Sequence, residues 1–235
     1  MKEIGYRKVA LKWVPHELTD KQKLERVQKS NELLQIIEKE RFLANIWTGD
    51  ETWVYFENPS TSIWIEKGAK RASQVRKSIK SKKVMISVVW SVSGMKSIVM
   101  LPIGDSFNKN FFITHVIEDL RKVLEISRPK LLGSGLKIHL DNATPHFANK
   151  ELSDLGFTRF PHPSYSQDLA PSDFFLFGFH KTKLKGRKFH SEEETFKAVQ
   201  EILQSVDRQM LQEAYNEWII RLHRCIERNG EYVEN

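Results

Sequence analysis

Lys137-Ile138-His139-Leu140-Asp141-Asn142-Ala143-Thr144-Pro145-His146, and further on Pro161-His162-Pro163-Ser164-Tyr165-Ser166-Gln167-Asp168-Leu169-Ala170-Pro171-Ser172-Asp173-Phe174-Phe175-Leu176-Phe177, form the stretch on which the fold turns. Ile138 and Leu140 belong to an apolar run that reads as a buried strand, and Asp141 follows it directly. Thr144 suits an N-cap and Pro145 the first position of a helix, so strand, turn and helix start are expected in that order. A carboxylate at the end of such a strand stands at the mouth of the sheet, where open α/β sheets place their ligands. Asp173 falls in the first turn of a helix whose apolar side begins with Phe174, Phe175 and Phe177. Capping and the helix dipole favour Asp there without any further role.

A third carboxylate lies upstream. Ile46-Trp47-Thr48-Gly49-Asp50-Glu51-Thr52-Trp53-Val54-Tyr55-Phe56 reads as a strand with Asp50 embedded in it. A charge inside so apolar a strand must be paired, hydrogen-bonded or metal-bound, because a bare buried charge is costly. Three carboxylates from separate elements suit hard divalent cations such as Mg²⁺, which take oxygen ligands. Two such ions can flank a phosphodiester, one activating water and the other stabilising the leaving oxygen. Glu51 points to the opposite face of a regular strand and is left out of this set.

These segments resemble the catalytic part of the mariner-family transposases. Trp13-Val14-Pro15-His16-Glu17-Leu18 is similar to one family signature, and Tyr165-Ser166-Gln167-Asp168-Leu169-Ala170-Pro171-Ser172-Asp173 to another. Gly49-Asp50-Glu51-Thr52-Trp53 and His139-Leu140-Asp141-Asn142 match the segments that carry the first two catalytic aspartates of the family. Gln167 stands where the family has Pro, and the stretch from Asp141 to Asp173 is slightly shorter than the family's usual spacing. The resemblance implies a ribonuclease-H-like fold, a mixed α/β sheet flanked by helices. It implies metal-dependent DNA strand cleavage and strand transfer, with two Mg²⁺ or Mn²⁺ ions held by Asp50, Asp141 and Asp173. It further implies DNA as partner, a homodimer on DNA joined through Trp13, Val14, Pro15 and His16, and a nuclear location. Asp168 is the rival for the third ligand. A DNA-binding remnant without transposition activity and a stand-alone metal-dependent nuclease are the alternative functions.

The 235 residues suffice for one good-sized core. A hydrophobic fraction of 40% and six Trp argue for a folded globular chain. A net charge of +7 makes a polyanion a plausible partner. The lone Cys225 excludes an internal disulfide framework and a cysteine-rich zinc site, and reads as a packed core thiol. No apolar run is long enough for a membrane span, and no signal-peptide core is present, so an intracellular setting is expected.

Residues 1–15 read as a basic leader, and 16–235 as one catalytic domain with a basic insertion at about 58–83. In the resembled family the leader joins helix-turn-helix modules to the catalytic domain; the residues ahead of Trp13 leave no room for them. Thr19 to Phe42 reads as a helix with Thr19 as N-cap and Leu24, Val27, Leu34, Ile37 and Phe42 as its apolar stripe. Lys67, Lys70, Arg71, Arg76, Lys77, Lys80, Lys82 and Lys83 face one acid between Glu66 and Lys83. Such a run is ordinarily a solvated loop. Between two core strands its length suggests function, and the resemblance implies DNA and partner contacts. Val84–Trp90 and Ser97–Leu101 about Ser93-Gly94 read as a hairpin. A helix over 110–126, a short strand over 157–160, a capped helix from Ser191 and a final helix from Asp207 complete the reading. His139 and His146, flanking the Asp141 strand, read as structural histidines that could also tune a neighbour.

Overall fold

The computed structural model describes residues 16–40, 43–58, 81–132 and 135–233. Its frame is a five-stranded sheet: β1 (Ile46–Tyr55), β2 (Lys83–Ser91), β3 (Gly94–Leu101), β4 (Leu136–His139) and β5 (Phe157–Phe160). Their order is β3-β2-β1-β4-β5, so β1 is the central strand. The β1–β2 and β2–β3 pairs are antiparallel, while β1–β4 and β4–β5 are parallel. This is the mixed sheet expected, and so is the hairpin turning about Ser93-Gly94. Gly94 has φ 123°, a backbone region that favours glycine.

The parity of β1 sends neighbouring residues into two separate cores. Ile46 and Val54 join the larger one, packed with α1 (Asp20–Lys39), α6 (Phe177–Leu184), α7 (Glu192–Gln204) and α8 (Arg208–Glu227). Trp47 joins the other, with Phe112, Val116, Leu120, Leu124 and Leu152. Those residues come from α3 (Glu118–Ser127), the π-helical turn Phe112–Ile117 before it, and α5 (Asn149–Asp154). The α2 turn (Lys109–Phe111) starts this helix with Asn108 as its cap, and α4 (Pro129–Leu132) follows it. At Gly49 a Cβ would press on Val89, Leu140 and the Val88 carbonyl. Its absence lets the chain leaving β4 lie close against β1.

Thr19 caps α1 in a reciprocal capping box with Gln22, as expected. The stripe of that helix differs from the expected one. Arg26, Ser30, Leu33, Leu34 and Ile37 are buried, whereas Leu24 is 58% exposed. An arginine therefore occupies the inward face. The Thr144 expectation also changes. Thr144–His146 is a single 3₁₀ turn capped from Ala143, and α5 begins only at Asn149. Asp207 caps α8 by accepting from the Met210 N–H, and Ser191 caps α7 through the Glu194 N–H. Cys225 is wholly buried. Among the described residues no helix is long and apolar enough to cross a membrane. The leader and most of the basic insertion, including the expected short strand at Trp64 and Ile65, lie outside the described residues.

Candidate active site

Three elements bring the carboxylates together. Asp50 lies mid-strand in β1, opposite Val88 of β2, on the face of the larger core. Asp141 follows the end of β4, which runs parallel to β1 with His139 opposite Thr48. Asp173 sits in a π-helical turn, Ser172–Leu176, that opens into α6. Such turns concentrate at functional sites because they re-aim a side chain without breaking the helix. That turn is anchored from below. The Trp90 indole donates to Ser172 Oγ at 3.0 Å and meets Tyr215 edge-on, and the Tyr215 hydroxyl donates to the Ile46 carbonyl at 2.9 Å.

The electrostatics are those of crowded like charges. Desolvation raises the Asp50 carboxyl well above its ordinary range, and the charges of Asp173, Glu51 and Asp141 push it further. The Glu51 N–H, donating to Asp50 Oδ1 at 2.7 Å, works the other way. Asp141 is opposite in character. Burial pushes its carboxyl up, but the hydrogen bond and charge of His146 and the Ala143 N–H outweigh burial and hold it at about 2. The His146 ring is pulled down by burial, yet Asp141 and Glu51 together raise it to about 9. Asp141 and Asp173 both line a cavity of about 240 Å³ with Asn142, His162, Tyr165 and Gln167. Arg159 stiffens its edge, donating from Nη2 to the Asp141 carbonyl at 2.5 Å and to Asn142 Oδ1 at 3.0 Å.

The donor set fits a hard divalent cation. It consists of carboxylate oxygens whose mutual repulsion a cation would relieve. Among the described residues no three His, Cys, Asp or Glu side chains close on a single ion. Mg²⁺ ordinarily needs only one or two carboxylates and keeps waters or phosphate oxygens for the rest.

Asp168, the rival ligand, is engaged elsewhere. Arg26 grips it at both oxygens, Nη1 to Oδ1 at 2.9 Å and Nη2 to Oδ2 at 2.7 Å, and the pair is 0% and 3% exposed. Oδ2 also accepts the Val233 N–H at 2.9 Å. Arg26 further donates to Ser166 Oγ and to the Gly230 and Glu231 carbonyls. A Cβ at Gly230 would run into the Lys23 carbonyl, so only glycine lets the tail close over α1. Arg26, Glu51 and the bridging position of His146 were missed by the sequence reading. Arg26 had a signal: it stands in helical phase with Ser30, Leu33, Leu34 and Ile37.

His16 stacks on Tyr165, ring centroids 4.1 Å apart, within its own chain. Trp13, Val14 and Pro15 lie outside the described residues. So do Lys67, Lys70, Arg71, Arg76, Lys77 and Lys80. Lys82 and Lys83 are described, at the Tyr55 end of β1, where Lys83 Nζ lies over the Trp53 ring at 4.1 Å. His139 and His162 are buried neighbours, 3.0 Å between ring nitrogens, and desolvation holds His162 down at about 4.

Residues 54–133 match the family model described as a transposase (partial DDE domain). The chain is 31% identical over its whole length to the histone-lysine N-methyltransferase SETMAR of Homo sapiens, of which it spans 35%. It is 30% identical over its whole length to the mariner Mos1 transposase of Drosophila mauritiana, of which it spans 69%. The Mos1 catalytic domain superposes with a TM-score of 0.77 at 29% identity, covering 94% of this chain and all of that one. The Mos1 paired-end complex with Mn superposes at 0.87 and 30% identity, covering 99% of this chain and 70% of that one. The ribonuclease-H-like fold is thus shared, and the chain belongs to the mariner transposase family.

Proposed function

We propose that the chain is the catalytic part of a DNA transposase that cleaves a DNA strand with water and then joins the freed 3′-hydroxyl to target DNA. The observation that carries this reading is the partly buried Asp50, pressed by the charges of Asp173, Glu51 and Asp141. Membership of the family and the DNA complexes known for Mos1 support it. Asp50, Asp141 and Asp173 would together hold two Mg²⁺ or Mn²⁺ ions. Bound metal supplies Lewis-acid stabilisation of phosphoryl oxygens and an activated water. The protein's own part is placement. Trp90 and Ser172 set the turn that carries Asp173, His146 and Ala143 hold Asp141, and Arg159 fixes the chain around Asn142. In the joining step the 3′-hydroxyl gives up its proton to solvent as its oxygen forms a new bond to a target phosphorus. The bond from that phosphorus to its own 3′-oxygen breaks, and the departing oxygen takes up a proton.

The basic residues from Lys67 to Lys83 would meet phosphates, and the segment from Trp13 to His16 would join two copies on DNA. The nucleus is where such a substrate lies. Incubating end-labelled duplex DNA with Mg²⁺ or Mn²⁺ tests the reading, because products separate strand joining from hydrolysis alone and from no reaction. Asp50→Asn or Asp141→Asn should abolish reaction; activity that survives either change, or that proceeds in EDTA, sinks the proposal. Replacing Arg76, Lys77, Lys80 and Lys82 with Ala should flatten the slope of log affinity against log salt by up to about four.

A further inference from the structure

Asp141 uses one of its two carboxylate oxygens inside the protein. Oδ1 accepts the Ala143 N–H at 2.9 Å and lies 2.6 Å from Nδ1 of His146. The His146 ring is wholly buried, tilted against Phe112 at 4.8 Å between centroids and edge-on to Phe107 at 6.2 Å. Its other nitrogen, Nε2, lies 3.2 Å from Glu51 Oε2, a contact of charge with charge and not an aligned hydrogen bond. The second oxygen of Glu51 accepts from Ser87 Oγ at 2.8 Å. Ser87 of β2, Glu51 of β1 and His146 thus form a continuous line beneath the sheet to the loop after β4.

We propose that His146, anchored by Glu51, is a positioning residue that fixes the carboxylate of Asp141 and leaves Oδ2 for the ion. The inference rests on the reading of Asp141 as a metal ligand. The terminal torsion of an aspartate is broad, so an unheld carboxylate at a loop would swing. Two donors on one oxygen stop that swing, and the aromatic walls around His146 keep its ring in one plane. Groups that hydrogen-bond to metal-ligating carboxylates typically matter 10–100-fold in metal affinity. The neighbouring acids of β1 then divide the work: Asp50 faces the ions from one side of the sheet, and Glu51 steadies a second ligand from the other.

Two substitutions separate the parts of the ring. In His146→Asn the side-chain amide nitrogen replaces Nδ1 and retains the donor to Asp141. In His146→Gln it reaches the place of Nε2 and loses that donor. Mn²⁺ binding to the whole chain is measured by calorimetry, with melting in EDTA as the check on folding. We expect His146→Gln to bind Mn²⁺ about 10–100-fold more weakly and His146→Asn to stay within a few-fold of wild type. Wild-type affinity in His146→Gln, or equal losses in the two variants, would overturn the proposal. If either variant fails to fold, Glu51→Gln decides it. That change leaves Ser87 a partner while removing the anchoring charge, so affinity should fall several-fold, and an unchanged value overturns the inference. Asp141→Asn is the control: wild-type Mn²⁺ affinity there would overturn the ligand reading itself, whatever the His146 variants do.

Discussion

Asp168 and Asp173 belong to one sequence motif and live under opposite electrostatic conditions. Asp168 is sealed from water and wholly satisfied, gripped by the Arg26 fork and a backbone N–H. Asp173 presses its charge on Asp50, and the same two groups share their neighbourhood with Asp141 and Glu51. The first arrangement is complete without any ligand. The second holds like charges at close quarters, a strain that a cation would relieve. Within a single loop, one acid is held by a buried arginine and the other is set among like charges, the arrangement expected of a cation site.

The contrast can be broken at its strongest point. Arg26→Ala or Asp168→Ala leaves one buried charge without its partner, and should cost about 3–5 kcal/mol in urea-induced unfolding. Replacing both with apolar residues of similar volume should recover most of that loss. At the other region, metal should relieve the repulsion that Asp50 meets from Asp173, Glu51 and Asp141. Mn²⁺ at about one hundred times its dissociation constant should stabilise wild type by about 2.7 kcal/mol. In Asp50→Asn, melting curves with and without Mn²⁺ should nearly coincide.

A smaller effect is expected in EDTA. The folded-state pKa of Asp50 is raised, so the native state binds its proton more tightly than the unfolded chain does. Wild-type stability should therefore fall as pH rises above the ordinary aspartate range near 3.8, and Asp50→Asn should flatten this fall. Near neutrality the variant should melt higher by about 2–4 °C for each kcal/mol of repulsion removed. An Asp50→Asn protein that melts lower than wild type in EDTA would show that the carboxylate is already compensated. A further effect belongs to His146, whose pKa is raised from 6.5 to about 9 against Asp141 and Glu51. Its contribution is fully present below pH 6.5 and is lost as pH rises through about 9. Melting in EDTA between those values should show a decline that His146→Asn lacks.

Much of this was legible because it is local. The β2–β3 hairpin follows from a strongly apolar run ended by the Ser93-Gly94 turn, and Asp50 and Asp141 stand out because a charge interrupts or ends an apolar run. The capping of α1 and α7 follows from side chains three residues from their partners. What escaped depends on pairing across distance. Arg26 looks like one more polar residue of a charged helix until its partner, 142 residues on, is known. Glu51 looks idle on the wrong face of β1 until β4 is placed parallel beside it and the loop after β4 carries His146 beneath. The resemblance favours Asp173 over Asp168; what the residues alone do not show is that Arg26 engages Asp168 while Asp173 acts on Asp50.

The clasp between Arg26 and the tail has a consequence for how the chain acquires its shape. Arg26 meets Asp168 across 142 residues and the Gly230 carbonyl across 204. Closing loops of that length costs entropy before any contact repays it, and folds rich in such closures form slowly. Until α1, the loop before Asp173 and the tail have met, the guanidinium cannot leave water without loss. The loop that carries Asp173 should therefore be set late in folding, together with the tail. A pulse of hydrogen exchange during refolding would record this as protection of β1 and β2 ahead of residues 166–173.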